Sequence, residues 1–401
     1  MSVKVFEINS VPYGSTAKIM LGIAEVASAK GVTVIISAGY STHPIKNLPE
    51  NYVPIGGFFD KSFHLLAARL TGYHGCFSKI ATMRLINKMK QKEIGVIHLH
   101  NLHGWYINLP MLFHYIKKYR IPVIWTLHDC WAFTGHCPNF DMIGCEKWKT
   151  GCCNCPQYRE YPMTYVDRCR WMYNKKREWF TGVENMTIVT PSHWLENLVN
   201  QSFLGNYPVK VIRNGIDLSI FKPTDSNFRK KYNCEDKYIV LGVAFGWGKR
   251  KGLDAFVELA SRLTSEYQIV LVGTDGTVDK QLPDNIISIH RTQNQRELAE
   301  IYTAADVFVN PTREENYPTV NMESLACGTP VITFDTGGSP EILDISCGKI
   351  IPKNDISALC TAIEDMVKDL PKETECVIKA KEFDQRERFE EYMNLYRQKE
   401  F

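Results

Sequence analysis

The sequence contains no long apolar run and no strong imbalance of charge. None of its apolar stretches approaches the ~18 consecutive residues that a membrane-spanning helix needs. The chain enters a strand pattern within Met1–Ser10, without the apolar core of a signal peptide. Its 47 basic and 44 acidic residues give a net charge of +3, which is too small to indicate a nucleic-acid partner. We therefore expect a cytoplasmic chain that is neither secreted nor membrane-spanning and that does not bind nucleic acid.

The sequence also lacks an Asp-x-Asp pair. Two carboxylates at that spacing are a common means of holding a divalent ion on a diphosphate. If this chain acts on a diphosphate, cationic side chains and helix N-termini must neutralise the negative charge instead. The absence therefore favours metal-independent chemistry with no catalytic cofactor.

The length of 401 residues exceeds what one hydrophobic core usually serves, which predicts two domains of roughly 200 residues each. Both halves alternate buried-strand patterns with helix patterns. The first such unit is the strand Val3–Ile8, the helix Ala17–Ala29 and the strand Val32–Ser37. This alternation is typical of an α/β protein with doubly wound parallel sheets.

Two carboxylates follow a buried strand in the second half. The apolar run Ala305–Asn310 stops at Pro311, and Glu315 and Glu323 follow with a spacing of eight residues. Glu323 lies in the helix pattern Val320–Cys327, and the free amides and partial positive charge of a helix N-terminus suit a phosphate. We expect both carboxylates to hydrogen-bond hydroxyl groups of the same ligand.

Another loop of the second half combines glycines with three adjacent cations. The strand pattern Tyr238–Phe245 precedes Gly246-Trp247-Gly248-Lys249-Arg250-Lys251-Gly252. Glycines let the backbone approach a diphosphate, and the cations neutralise it. The same glycine spacing also resembles a dinucleotide fingerprint, with Asp275 after the next strand, so an NAD(P)-dependent oxidoreductase is an alternative. That alternative leaves both glutamates unexplained.

Two strand patterns of the first half end in histidine, His100 and His128, and Asp129 directly follows the second. Ligands of open α/β sheets bind at the carboxyl ends of the strands, so these side chains indicate a functional site. Gly14 and Ser15 stand before the first helix, where an acceptor or a phosphate can approach its N-terminus. A plain connection from strand to helix is the alternative for this loop.

The string REENYPTVNMESLACGTPVITFDTGGSPE, residues 313–341, resembles the E-x7-E signature of retaining GT-B glycosyltransferases of the GT4 type (glycosyl transferases group 1). Lys251-Gly252 matches the Lys-Gly with which that family binds the donor diphosphate, and Asn214–Asp217 resembles its NGxD hinge. The strand end at His128 is similar to the family's TxH-type catalytic histidine. One position differs, because Phe245 stands where the family has an arginine.

The resemblance implies a GT-B fold, in which two Rossmann-like doubly wound domains face a central cleft. It places an acceptor domain at 1–206, a nucleotide-sugar (donor) domain at 207–380, and a final helix in 381–401 that packs back on the first domain. It implies retaining transfer of a sugar from a nucleotide-sugar to a glycan or lipid-linked oligosaccharide, in the synthesis of capsule, O-antigen or exopolysaccharide. An epimerase or a phosphorylase of the same fold, or a non-catalytic binder of nucleotide-sugars, is the alternative.

The site predicted in this way has three parts. Catalysis is assigned to His128 and Glu315. The acceptor side comprises Gly14, Ser15, His100 and Asp129. The donor-binding set comprises Gly248, Lys249, Arg250, Lys251, Asn316, Tyr317, Thr319, Val320 and Glu323, with Lys249 or Arg250 replacing the family's arginine.

Two further stretches have open interpretations. Thirteen cysteines are many for a cytoplasmic chain, and Cys137, Cys145, Cys152 and Cys155 lie in one stretch without apolar periodicity. Free thiols, a disulfide and a structural zinc ion remain open, and the zinc would fix a long loop that has no secondary structure. The basic amphipathic helix pattern Ser78–Lys92 predicts either a solvated face or peripheral contact with the inner membrane surface.

Overall fold

The structure is a computed structural model, and it describes residues 3–41 and 48–399. The chain divides into two compact units. Unit 1 comprises Met1–Arg213 and Arg386–Phe401, and unit 2 comprises Asn214–Gln385. The domain boundaries predicted from the sequence, after residues 206 and 380, lie a few residues before these divisions. None of the helices in the described ranges is long and apolar enough to cross a membrane.

Within its described residues, unit 1 contains a parallel sheet of seven strands in the order β3-β2-β1-β4-β5-β6-β7. The strands are β1 (Lys4–Asn9), β2 (Thr33–Gly39), β3 (Val53–Ile55), β4 (Val96–Leu99), β5 (Val123–Thr126), β6 (Met186–Thr190) and β7 (Val209–Val211). The helices before β7 are α1 (Ser15–Ala29), α2 (Phe58–Thr71), α3 (Lys79–Lys92), α4 (Leu109–Lys118), α5 (Cys169–Phe180) and α6 (His193–Asn200).

Unit 2 repeats the plan with six parallel strands, again counted over the part of the chain described, in the order β10-β9-β8-β11-β12-β13. The strands are β8 (Tyr238–Val243), β9 (Tyr267–Val272), β10 (Ile286–Ile289), β11 (Val307–Asn310), β12 (Val331–Phe334) and β13 (Gly348–Ile351). The helices are α7 (Phe228–Lys231), α8 (Leu253–Arg262), α9 (Gly276–Asp279), α10 (Gln295–Ala304), α11 (Thr319–Ala326), α12 (Ile356–Lys368) and α13 (Glu373–Ala380).

The central strands are buried on both faces, which explains why they appear in the sequence as continuous apolar runs. Every residue of β4, β5, β11 and β12 is buried. Because all strands of a sheet are parallel, their carboxyl ends meet at one edge, and the loops that leave this edge carry the predicted site residues.

The final helix, α14 (Gln385–Gln398), packs on unit 1 rather than on unit 2. It buries Phe389, Tyr392, Met393 and Tyr396 in a cluster shared with α1. A Cβ atom on Gly22 of α1 would lie 2.3 Å from the Phe389 ring, so glycine allows this close approach.

Candidate active site

The acidic loop between β11 and α11 meets the basic loop after β8. The Lys251 ammonium lies 2.5 Å from Glu315 Oε2, and the two side chains are 19% and 23% exposed. Burial acts to raise the pKa of Glu315, but the charge and hydrogen bond of Lys251, the Asn316 amide and Arg250 together hold that pKa below its usual value. Glu315 is therefore ionised at neutral pH, and the pair leaves both groups accessible to a ligand.

Arg313, in the acidic loop, forms hydrogen bonds with the basic loop and with α8 after it. Its guanidinium donates two hydrogen bonds to the carboxylate of Asp254 on α8, at 2.7 and 2.9 Å. It also donates to the carbonyl of Lys249, and its backbone amide donates to the carbonyl of Arg250 at 2.9 Å. A bidentate guanidinium–carboxylate pair fixes geometry as well as charge. Arg313 thus holds the cations in place beside Glu315, a role that the sequence did not indicate for it.

Glycines allow both loops to pack closely. Gly252 has φ +77°, and a Cβ atom there would lie 2.5 Å from the carbonyl oxygen of Pro311. Gly337, in the loop after β12, has φ +58°, and its Cβ atom would lie 1.8 Å from the carbonyl oxygen of Glu315. The Gly338 amide donates to the Asn316 carbonyl at 2.7 Å. The loop after β12 therefore supports the backbone that carries Glu315.

We expect Gly337→Ala to lower the free energy of unfolding of unit 2 by about 3 kcal/mol or more, because left-handed strain adds to overpacking. Gly246→Ala is a matched control. Gly246 also has a left-handed φ, +78°, but nothing lies within 4 Å of its Cβ position. It should cost only the strain, about 1–2 kcal/mol. Urea unfolding measures both variants, and equal losses would contradict the proposed support of Glu315 by Gly337.

The rest of the predicted donor-binding set lies around the same sheet edge. Lys249 and Arg250 are exposed in a 3-10 turn, and Gly248 before it has an extended backbone with open space around it. Thr319 and Val320 form the first turn of α11, one residue earlier than the sequence predicted. These positions offer cations and backbone amides at one edge of the sheet.

Glu323 and Tyr317 are more restricted than the sequence indicated. Glu323 Oε2 accepts a hydrogen bond of 3.2 Å from the hydroxyl of Tyr302, which is fully buried. The Tyr317 side chain is buried and packs edge-on against Phe383, so only its backbone is positioned to meet a ligand. Asp275 Oδ1 accepts the amides of Thr277 and Val278 as a helix cap, which does not favour the oxidoreductase alternative.

In unit 1, His100 and His128 meet at the carboxyl ends of β4 and β5. His100 Nδ1 lies 3.1 Å from His128 Nε2, and the two rings are stacked with centroids 5.4 Å apart. Burial lowers the pKa of His128 to about 4, with Asp129 acting against this shift and His98 and His103 adding to it. The His128 imidazole is therefore neutral at neutral pH.

The histidine pair continues into a buried polar chain that the sequence did not reveal. The His98 ring lies tilted against that of His100, with centroids 4.2 Å apart, and its two ring nitrogens bond the Tyr396 hydroxyl at 2.7 Å and the Thr126 hydroxyl at 2.8 Å. Tyr396 in turn donates to Glu7 Oε1 at 2.9 Å. Glu7, His98 and His100 could together hold a metal ion, because their ligand atoms lie within 4.8 Å of one another. They are the one such group among the described residues. Both nitrogens of His98 are already hydrogen-bonded, which favours a polar network over a metal site.

Asp129 is oriented by neighbours that the sequence did not identify. Asp129 Oδ2 lies 2.9 Å from His103 Nε2, and Asp129 Oδ1 accepts the Trp131 amide at 2.8 Å. Burial acts to raise the pKa of Asp129, but His103, the Trp131 amide and His128 hold it below its usual value. His103 Nδ1 also bonds the Tyr161 hydroxyl at 2.8 Å. In the sequence, the position of His103 in the loop after β4 was the feature that could have identified it as a site residue.

The remaining predicted residues lie at two other places of unit 1. Gly14, with φ +83°, precedes α1, which begins at Ser15 and has no side-chain cap.

All thirteen cysteines are free, so no disulfide forms in the described chain. Cys137, Cys145, Cys152 and Cys155 line one small cavity.

Two protein-family models match the chain. The model described as Glycosyltransferase Family 4 matches residues 22–220, and the model described as Glycosyl transferases group 1 matches residues 237–369. Together they cover the larger part of both units.

Relatives and solved structures agree with these matches. The putative colanic acid biosynthesis glycosyl transferase WcaC of Escherichia coli (strain K12) is 27% identical over 316 residues, which are 75% of this chain and 76% of that protein. Sucrose-phosphate synthase from Thermosynechococcus elongatus superimposes with a TM-score of 0.71 at 18% identity, covering 99% of this chain and 98% of that one. Anabaena HepE, solved in complex with UDP, superimposes with a TM-score of 0.66 at 13% identity, covering 98% of this chain and 99% of that one. The chain is therefore a glycosyltransferase with the GT-B fold and belongs to the group 1, GT4-type family.

Proposed function

We propose that this glycosyltransferase moves a sugar from a nucleotide-sugar to a glycan or lipid-linked oligosaccharide, with retention of configuration and without a metal ion. The observation that carries the donor assignment is the Lys251–Glu315 pair, held between two loops at the edge of the unit 2 sheet. The names of two similar proteins support the reaction class. WcaC is named for colanic acid biosynthesis, and HepE was solved with UDP, so we assign this chain to polysaccharide synthesis.

Unit 2 supplies the donor site in this proposal. Lys251, with Lys249 and Arg250, neutralises the diphosphate, and the amides at the start of α11 donate to it. Glu323 hydrogen-bonds the ribose, and Glu315 hydrogen-bonds the transferred sugar. A ligand phosphate that draws the ammonium of Lys251 away from Glu315 frees the carboxylate for sugar hydroxyls.

Unit 1 supplies the acceptor groups. We assign to His128, whose imidazole is neutral, the role of an uncharged hydrogen-bonding group toward the sugar, and to Asp129, Gly14 and Ser15 a role toward the acceptor. The bond between the sugar C1 and the diphosphate oxygen breaks, and the departing diphosphate takes the proton of the acceptor hydroxyl as the new bond forms on the same face. The cations of unit 2 stabilise the negative charge that develops on the leaving diphosphate.

The test is a screen of radiolabelled nucleotide-sugars for slow hydrolysis by the purified protein. Water replaces the acceptor in such a reaction, so the donor is identified without knowledge of the acceptor. We expect one donor, or a small set that shares a base, to be cleaved above the uncatalysed rate. Cleavage of none of the common uridine, guanosine, adenosine, cytidine or thymidine diphosphate sugars would contradict the proposal.

We expect the reaction to survive EDTA. The chain has no Asp-x-Asp pair, and three adjacent cations stand where a diphosphate would need a counter-charge. In the presence of about 5 mM EDTA, initial rates should stay within about twofold of the untreated rate. Loss of activity that manganese or magnesium restores would show that the diphosphate charge is neutralised by an ion instead.

One of the two acceptor classes of the proposal is a lipid-linked oligosaccharide, and unit 1 has a surface suited to a membrane. The exposed positions of α2 are almost all apolar, with Phe59 85% and Phe63 64% exposed. Phe58, Leu66 and Leu70 continue the same face. Monomeric soluble proteins rarely expose a contiguous apolar patch of this kind without a partner.

The neighbouring helix α3 adds positive charge to this surface. His64 Nδ1 on α2 lies 2.8 Å from the hydroxyl of Ser78, the residue before α3, so the two helices are adjacent. The exposed side chains of α3 are basic, apolar or uncharged, and none is acidic: Lys79, Ile80, Met83, Arg84, Asn87, Lys88, Lys90, Gln91 and Lys92. Apolar residues flanked by cations fit an anionic lipid surface, so we assign the α2–α3 surface to peripheral membrane contact.

We expect Phe59→Ser/Phe63→Ser to weaken binding to phosphatidylglycerol vesicles by about tenfold or more, because two inserted rings are lost. Ile378→Ser is the matched control, since Ile378 is 62% exposed on α13 of unit 2. Co-sedimentation with phosphatidylglycerol and with phosphatidylcholine vesicles measures the effect. An unchanged affinity in the double variant, or equal binding to both lipids, would contradict the assignment.

A further inference from the structure

A long irregular segment of unit 1 contains more cysteine than its fold explains. Between Phe133 and Cys169, all of it described, the regular structure is a single 3-10 turn, Lys147–Lys149. A segment of this length without helix or strand is uncommon in a compact domain and needs some other means of fixing its backbone. It is nevertheless closely packed, because a Cβ atom on Gly135 would lie 2.2 Å from the Cys169 carbonyl and 2.8 Å from Cys152.

Six thiols line one cavity of this segment: Cys137, Cys145, Cys152, Cys153, Cys155 and Cys169. Cys137, Cys145, Cys152 and Cys155 have sequence spacings of x7, x6 and x2, and the last pair has the C-x-x-C spacing typical of zinc sites. The volume of the cavity is about 20 Å³, which is room for about one water-sized species and not for an organic ligand.

The rest of the cavity wall is partly aromatic. Phe140 and Trp148 line it and are stacked with centroids 5.1 Å apart, and Pro156 adds a further apolar side chain. The other lining residues are Thr134, His136 and Lys147, of which His136 is the one that could also bind a metal.

A buried cation next to the cysteines is an independent observation. The side chain of Lys176 on α5 is fully buried, and its ammonium donates to the carbonyls of Trp131 and Thr134 at 2.7 and 3.0 Å. Among the described residues it forms no ion pair with a carboxylate, although a buried ammonium is costly without a counter-charge. Thr134 is one of the residues that line the cysteine cavity, so the amine group of Lys176 lies beside the cavity wall. Lys176 is therefore placed where a cation can offset negative charge on thiolate sulfur atoms.

Hydrogen bonds to sulfur support the same conclusion. The Gly135 amide lies 3.1 Å from Cys152 Sγ, a donor suited to a thiolate. Four thiolates at this depth would require a bound cation to neutralise them.

We infer that Cys137, Cys145, Cys152 and Cys155 bind one structural zinc ion. Zinc takes four thiolates in a tetrahedron at about 2.3 Å, and Lys176 is placed beside the resulting charge of −2. No three of these sulfur atoms lie within 4.8 Å of one another in the structure, so the inferred site requires them to move inward when the ion binds. The ion would fix the loop that follows β5 and His128. This inference does not depend on the proposed function.

The test is the zinc content of the whole protein, purified without a histidine tag and without chelators, by plasma mass spectrometry. We expect about one zinc per chain in the wild type and less than about 0.1 in Cys145→Ser and Cys155→Ser. Cys153→Ser is the matched control in the same loop and should keep the metal. His98→Gln tests the rival group Glu7, His98 and His100, and should also keep it.

If the cysteine variants do not fold, X-ray absorption on the wild-type protein identifies the atoms that bind the zinc. Four sulfur neighbours at about 2.3 Å are expected, and a mercurial reagent should release one zinc for about four thiols consumed. A wild-type protein without zinc, a disulfide between two of the four cysteines, or a metal with nitrogen ligands would overturn the inference.

Discussion

Replacing Lys251 with alanine should slow sugar transfer by about 100-fold or more, because the variant loses a charge that stabilises the departing diphosphate. The half-buried ammonium of Lys251 is held 2.5 Å from Glu315, whereas its neighbours Lys249 and Arg250 are exposed. Exposed cations act through water and are screened by salt, so Lys249→Ala should lower the rate only a few-fold. Steady-state kinetics with saturating donor measures both variants.

A second variant separates loss of the cation from the effect on its partner. Without Lys251, Glu315 keeps an uncompensated negative charge where the diphosphate has to bind. Lys251→Ala/Glu315→Gln removes that repulsion but not the need for a cation at the leaving group. We expect the double variant to recover part of the donor affinity and none of the rate. An unaffected rate in Lys251→Ala would transfer the role to Lys249 or Arg250.

Replacing Glu323 should weaken donor binding by roughly 10–150-fold, the equivalent of about 1.5–3 kcal/mol for a charge-assisted hydrogen bond to the ribose. The same variant should also be less stable, because Glu323 accepts a hydrogen bond from the buried hydroxyl of Tyr302. Glu323→Ala should therefore also cost about 1 kcal/mol of stability.

Tyr302→Phe is the control for this second effect. It removes the same hydrogen bond but leaves the carboxylate of Glu323 in place. Its donor affinity should stay within about threefold of the wild type, while its stability falls as in Glu323→Ala. Calorimetric titration with the nucleotide-sugar, combined with thermal unfolding, distinguishes the two. Equal losses of affinity in both variants would mean that Glu323 acts on the fold and not on the donor.

The sequence predicted the parts of the fold that depend on local pattern. Strands buried on both faces, such as β5 and β11, are continuous apolar runs, and Pro311 marks the end of β11. The glutamate spacing and the basic loop are likewise local features. The helix α11 was placed within one residue of its position, since Pro318 precedes it and Cys327 ends it.

The contacts that complete the site depend on tertiary structure. Arg313 and Asp254 are 59 residues apart, and only the packing of α8 beside the acidic loop makes them a bidentate pair. Glu7 and His98 become neighbours because β1 and β4 pair in that register. Tyr396 reaches His98 from the far end of the chain. No spacing in the sequence indicates such pairs.

The apolar face of α2 could not be predicted for a different reason. Apolar residues at helical spacing usually face the core, so the pattern of α2 gives no sign that Phe59, Phe63 and Leu66 face solvent. Only the charge of the neighbouring α3 was readable as a surface property.

The most direct test of the central claim is a proton NMR time course of a cleaved donor. An α-configured nucleotide-sugar from the hydrolysis screen is followed from the first minutes, before the free sugar equilibrates between its anomers. We expect the nucleoside diphosphate and the α-anomer of the sugar to be released together, at a rate that EDTA leaves unchanged. Initial release of the β-anomer, or cleavage that requires added metal, would contradict retaining, metal-independent transfer by this protein.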